Sequence, residues 1–162
     1  MIRKISFSLA VLTTSLLFTG AANAAEPILL KDKPFSVVIR EVNAFRKENG
    51  LPPVNIKNQL TSAARKYAAV MASKDQMGHS VNGTTVPQRL DAEGYRFSRY
   101  FENVAYNQGH ASPGVQAVKS WKESTSGHRE AMLNREVTEM GVGLATSKSG
   151  KVYFCLVLAK PR

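Results

Sequence analysis

The sequence predicts an α+β domain in which helices pack on a small antiparallel sheet. Two segments with apolar residues at helical spacing come first in the chain of 162 residues, and shorter strand-like segments close it. Strands and helices do not alternate in the manner that builds a parallel sheet. The length suits one domain with a sizeable core.

The helices are predicted from apolar periodicity and from the residues that stop it. An amphipathic segment opens at Phe35 and ends at Asn49-Gly50, and an alanine-rich one covers Asn58 to Lys74. Shorter helices are predicted over Pro87 to Ala92, over Val115 to Glu123 and from His128 to about Asn134. The second of these directs Val115, Val118 and Trp121 or Lys122 toward the core, and Ser126 is the predicted N-cap of the third.

Three strands are predicted from short apolar runs. Met140 to Ala145 and Lys151 to Ala159 form a hairpin around the turn at 147–150. Tyr95 to Tyr100 shows no clear period. The run Phe101 to Tyr106 is a strand with Glu102, Val104 and Tyr106 on one face and Phe101, Asn103 and Ala105 on the other.

Residues 1–24 have the pattern of a secretory signal peptide. Arg3 and Lys4 precede a largely apolar run, and Ala22-Asn23-Ala24 matches the A-x-A cleavage pattern. The run is short for a transmembrane helix, and retention as an uncleaved anchor is the weaker alternative. We therefore expect a periplasmic or extracellular protein without a transmembrane segment, with a leader over 25–36 and one domain over 37–161.

The formal net charge is +10, but the basic residues are dispersed and form no stripe with aromatic residues. This pattern argues against specific nucleic-acid binding and leaves anionic lipid or an acidic wall polymer as alternatives to a purely solubilising charge. Cys155 is the single cysteine, which excludes an intramolecular disulfide and a four-cysteine metal site. Its apolar surroundings predict a buried thiol.

The three histidines each follow a glycine, and two of them lie where regular structure meets a loop. If these boundaries meet, His79, Glu102 and His128 form an imidazole–carboxylate site. Two neutral imidazoles and a carboxylate suit zinc or a similar divalent ion. The start of a helix would keep His128 neutral. Alternatively, these three side chains only hydrogen-bond one another and hold the helix ends to the sheet. The third histidine, His110, is expected to be a solvated loop residue in either case.

No compact catalytic motif accompanies these residues. The chain has no HExxH, G-x-S-x-G, P-loop or Rossmann glycine pattern. Ser80, Ser124 and Ser126 are conceivable nucleophiles, but no Ser/His/Asp set can be assigned.

Several ordered motifs together resemble the CAP superfamily in its bacterial branch, which contains the SCP domain of cysteine-rich secretory proteins, antigen 5 and pathogenesis-related 1 proteins. The motifs are Asn43 and Arg46, Gly50-Leu51-Pro52-Pro53, Ala64 and Ala68, Gly78-His79-Ser80, Gly94-Tyr95, Glu102-Asn103-Val104-Ala105, Trp121, Gly127-His128-Arg129 and Met140-Gly141-Val142-Gly143.

The resemblance implies an α–β–α sandwich whose cleft is lined by His79, His128 and Glu102. Where many relatives carry a second glutamate, three residues after the tryptophan, this chain has Ser124. Glu123 and Ser124, at or next to this position, and Asn103, beside Glu102, are additional candidate residues of the site. The disulfides of the eukaryotic relatives are absent.

Three functions remain open. We favour a monomeric, non-enzymatic binding module whose cleft holds a divalent metal such as zinc or a small ligand. The alternatives are a metal- or histidine-dependent hydrolase acting on peptide or cell-wall material, and a protein that binds lipid or an anionic surface. The expected partner is a small ligand, a lipid or a cell-envelope component.

Overall fold

The computed structural model describes residues 34–162, so the predicted signal peptide and residues 25–33 of the predicted leader lie outside the described residues. Five helices and four strands lie within this range. They are α1 (Pro34–Glu48), β1 (Asn55–Ile56), α2 (Asn58–Lys74), α3 (Val86–Ala92), β2 (Phe97–Asn107), α4 (Pro113–Lys122), α5 (His128–Met132), β3 (Glu139–Thr146) and β4 (Val152–Pro161).

The strands form one sheet in the order β1-β3-β4-β2. β2, β3 and β4 are antiparallel, as predicted, whereas β1 pairs in parallel with β3 and makes the sheet mixed. β1 was not predicted, because a strand of two residues is too short to show a period in the sequence.

Helices cover both faces of the sheet, which confirms the expected α–β–α arrangement. Alternate residues of β4 face opposite sides. Phe154 and Leu156 pack with α1, α4 and α5 in one hydrophobic core, and Tyr153 and Cys155 pack with α2 and α3 in the other. No helix within the described range is long and apolar enough to cross a membrane.

Two glycines let α2 lie directly on β3. A Cβ atom at Gly141 would come 2.1 Å from the Leu60 carbonyl carbon, and one at Gly143 would come 2.2 Å from that of Ala64. Both distances are far below van der Waals contact. The helix backbone therefore packs against bare strand backbone, which fixes α2 and the His79 segment that follows it.

Arg46 ties the end of α1 to the segment that follows α5. Its side chain is fully buried, and its guanidinium donates to the carbonyl oxygens of Pro52 (2.9 Å), Met132 (2.8 Å), Asn134 (2.9 Å) and Val137 (3.5 Å). Burial lowers the pKa of Arg46. These four acceptors engage four of the five N–H groups of a buried cation that carries no carboxylate partner in the described structure.

The predicted helix α2 is confirmed at both ends, whereas other boundaries differ. α1 begins at Pro34, so residues 34–36 of the predicted leader are helical. β2 begins at Phe97, and the register shift between Phe97 and Arg99 explains why residues 95–100 show no period.

The predictions for α4 and α5 are wrong in part. Val118 and Trp121 do face the core as predicted, whereas Val115 does not. Val115 of α4 is 40% exposed, because Gly114, Ala117, Val118 and Trp121 form the buried face. The N-cap of α5 is Gly127, with φ of 90°, not Ser126, and α5 ends at Met132. Glu130 does lie in the first turn.

Candidate functional site

Glu102 is a buried carboxylate with three side-chain partners. Its side chain is 2% exposed and extends from β2 toward the core formed with α2. One oxygen accepts from His79 Nδ1 at 2.9 Å. The other accepts from Arg89 Nη2 at 2.5 Å and from the Cys155 thiol at 3.4 Å. These donors compensate for the loss of water around the carboxylate.

Arg89 of α3 is a site residue that the sequence analysis missed. Its guanidinium lies 3.5 Å from the centre of the Tyr67 ring and donates through Nη1 to the carbonyl oxygens of His79 (3.2 Å) and Thr84 (2.8 Å). It therefore positions both Glu102 and the backbone of His79. A glutamate predicted on a core strand needs a cationic partner, and this requirement was the one indication in the sequence that an arginine or lysine belongs to the site.

His79 lies on the loop after α2, and 55% of its side chain is exposed. The hydrogen bond to Glu102 raises the pKa of His79, and burial opposes this rise. A carboxylate can only accept a hydrogen bond, so Nδ1 carries the proton and Nε2 keeps its lone pair in the neutral ring.

His128 is the first residue of α5 and binds Ser124, not Glu102. Its Nδ1 lies 2.8 Å from Ser124 Oγ, and Oγ also accepts from the Ser126 N–H at 3.1 Å. The Asn103 amide donates to the His128 carbonyl at 2.9 Å. Glu102 and Asn103 are neighbours on β2 with opposite orientations, so consecutive residues of one strand hold the two histidine segments.

The pKa of His128 is lowered, first by burial and next by the charge of His79, with Glu130 opposing. The predicted direction is therefore correct, but the main cause is burial, not the start of a helix.

A cavity of about 430 Å³ opens beside His128. Its lining contains Ser124 and Glu123 but neither His79 nor Glu102. Glu123 is exposed, and its carboxylate Oε1 lies 3.9 Å from Lys119 Nζ. The other lining residues are Met77, Val104, Ala105, Tyr106, Ser120, Trp121, Thr125 and Ser126.

The donor set fits a divalent metal only in part. Among residues 34–162, no three histidine, cysteine, aspartate or glutamate side chains are grouped so that they could hold a metal ion. The oxygens of Glu102 are committed to Arg89, His79 and Cys155. The two imidazoles, in contrast, can each offer Nε2.

The model of the cysteine-rich secretory protein (CAP) family matches residues 39–158. The chain belongs to this family. It is 32% identical over 113 residues to the uncharacterized protein YkwD of Bacillus subtilis (strain 168), a match that covers 69% of this chain and 42% of YkwD. The chain thus spans less than half the length of this relative.

Solved structures of the family share the fold. An outer surface protein from Borrelia burgdorferi superposes with a TM-score of 0.71 at 22% identity, covering 80% of this chain and 93% of that one. An extracellular SCP-domain protein of Bacillus anthracis superposes with a TM-score of 0.66 at 23% identity, covering 78% of this chain and 40% of that one. At these identities the likeness establishes the fold of the domain and not its activity.

Proposed function

We propose that this CAP domain is a non-enzymatic binding module in which Nε2 of His79 and Nε2 of His128 together hold a divalent metal ion such as zinc. One observation carries the proposal: each ring has Nδ1 engaged by a protein side chain, Glu102 for His79 and Ser124 for His128. A hydrogen bond at one ring nitrogen fixes the tautomer that presents the other to a metal.

In this proposal Glu102 orients His79 and is not a ligand. Two protein nitrogens leave coordination positions for water or for an oxygen-bearing ligand from the cleft. The bound ion supplies positive charge that attracts such a ligand. The affinity follows from two imidazoles only, so we expect binding weaker than that of a closed structural zinc site.

Export belongs to the same proposal. The signal-peptide pattern of residues 1–24 supports it, and so do the descriptions of two structural relatives as outer-surface and extracellular proteins. A periplasmic or extracellular location would expose the cleft to cell-envelope material.

Zinc titration tests the metal proposal. Isothermal titration at pH 7.5 should give saturable binding that weakens by at least about tenfold in His79→Ala and in His128→Ala. Because the pKa of His79 is raised and a ligand must be neutral, affinity should fall as pH is lowered through that pKa, from above 6.5 downward. His110→Ala removes an exposed loop histidine and is the matched control. Equal zinc affinity in all four proteins would contradict the proposal.

The contact between Ser124 and His128 supports a second candidate, a serine hydrolase. The lowered pKa of His128 leaves its ring neutral and able to act as a base. Ser124 Oγ would attack a carbonyl carbon of a peptide bond and pass its proton to Nδ1 of His128. The C–N bond would then break as the leaving amine takes that proton, and water would cleave the resulting acyl-enzyme. This role requires the Ser124 hydroxyl to donate, whereas metal binding requires Nδ1 of His128 to donate.

A fluorophosphonate probe separates the two candidates, because it phosphonylates an activated serine with loss of fluoride. If Ser124 is a nucleophile, labelling should vanish in Ser124→Ala and His128→Ala and persist in Ser126→Ala. A wild-type protein that stays unlabelled, and that turns over no peptide or peptidoglycan substrate, would remove the hydrolase.

A further inference from the structure

We propose that the cavity beside His128 binds a short neutral oligosaccharide whose sugar ring stacks on Tyr106. This inference extends the proposed function, on which it rests for the role of a binding module, because it names a class of ligand for the cavity that His128 borders. It rests on the exposure and support of one aromatic ring and on the hydroxyl groups opposite it.

The accessible apolar surface of the cavity comes from two exposed side chains. Tyr106 is 49% exposed and Met77 is 45% exposed, whereas Trp121, which also lines the cavity, is 2% exposed. Large hydrophobic side chains are exposed at few positions among residues 34–162, and two of these positions meet here. An exposed apolar surface inside a concave site favours a ligand that covers it.

Tyr106 lies against an anchored cluster of side chains. Its ring centre lies 5.5 Å from that of Tyr153 and 5.4 Å from the Lys151 ammonium. Asp75 accepts from both supporting residues, from Tyr153 Oη at 2.9 Å and from Lys151 Nζ at 3.1 Å. Lys151 and Tyr153 hold the pKa of Asp75 at about 2. A ring fixed in this way loses little conformational entropy when a ligand stacks on it.

Hydroxyl groups lie along the rest of the cavity. Ser120, Ser124, Thr125 and Ser126 contribute to the lining, together with the carboxylate of Glu123. The hydroxyls of Thr125 and Ser126 have no hydrogen-bond partner within the described part of the chain. They are free to exchange hydrogen bonds with a ligand.

The ring face of Tyr106, in a cavity that hydroxyl groups and the Glu123 carboxylate also line, matches the apolar and the polar surface of a sugar. The C–H groups of a pyranose cover the aromatic face, and its hydroxyls bind the polar rim. A lipid tail would cover the apolar part of the lining, but it would remove water from the Thr125 and Ser126 hydroxyls and the Glu123 carboxylate without giving them partners. The volume of about 430 Å³ lies in the range of small-ligand sites.

The test uses cellotetraose and tetra-N-acetylchitotetraose, with laurate as the lipid arm, titrated in EDTA and followed by heteronuclear NMR. We expect saturable shifts at Thr125 and Ser126 with one of the saccharides. Tyr106→Ala should weaken this binding by at least about tenfold, whereas Tyr106→Phe should retain it. Tyr100→Ala is the matched control, since Tyr100 is an exposed tyrosine of β2 outside the cavity lining.

The proposal is overturned if neither saccharide binds at millimolar concentration, if Tyr106→Ala binds as tightly as wild type, or if laurate alone fills the cavity. The EDTA keeps this result separate from metal binding. If neither saccharide binds but zinc still binds, only the oligosaccharide proposal is rejected. If zinc does not bind but a saccharide does, only the metal site formed by the two imidazoles is rejected. Far-UV circular dichroism verifies the fold of each variant.

Discussion

Substitution of Gly143 by alanine is expected to destabilise the domain by about 3 kcal/mol or more, at the upper end of the overpacking range. The added Cβ would lie 2.2 Å from the carbonyl carbon of Ala64, and the obstacle is helix backbone, which cannot rotate aside. α2 would have to move away from β3, together with the buried side chains beneath it. The loss should appear as a fall in melting temperature of roughly 10 °C.

Gly78→Ala is the matched control for this experiment. A Cβ at Gly78 meets only the Val81 side chain, at 3.4 Å, which is ordinary contact. If Gly143→Ala expresses in insoluble form, the same variant refolded from urea gives the comparison. Melting temperatures of Gly143→Ala and Gly78→Ala that agree within about 2 °C would contradict the close approach of α2 to β3.

Arg46→Ala is expected to cost about 3–5 kcal/mol, because each buried carbonyl group left without a donor costs roughly 1–3 kcal/mol. The carbonyl groups of Met132 and Asn134 would lose their charged donor, and a cavity would form between α1 and the end of α5. Arg46→Lys should recover only part of the loss, because an ammonium has three donors and cannot reproduce the planar fork.

Urea unfolding measures this effect, with Lys47→Ala as the control, since Lys47 is the next residue and is exposed. The ring signals of His128 provide a second readout, because Arg46 holds the last residue of the helix that begins with His128. An Arg46→Ala protein as stable as Lys47→Ala would show that the buried guanidinium contributes nothing net.

The parts of the fold that local pattern determines were predictable. The apolar stripe and alanines of α2 predict its full length, and the alternation of Phe101 to Tyr106 predicts which residues face each core. The bulged start of β2 was not predictable, because the register shift near Phe97 breaks the alternation by which a strand is recognised.

The site shows where sequence reasoning ends. His79, at the end of a helix, and Glu102, on a strand, were named together as site residues, and they do hydrogen-bond. Arg89 was missed, because its contact with Glu102 joins two elements that no local spacing relates. Ser124 lies four residues before His128, but the two residues belong to no common helix, so no helical period singled Ser124 out from the other candidates. The role of these residues as a metal site stays a prediction.

The pleat of β2 has a thermodynamic consequence for any ligand of the cleft. Glu102 is directed to the core on one side of the sheet and Asn103 to the other, and each holds one histidine segment. A ligand that touches both imidazoles therefore bridges two hydrophobic cores that the sheet separates. Such a ligand links the two layers of helices, so its binding free energy adds to the free energy of unfolding of both cores.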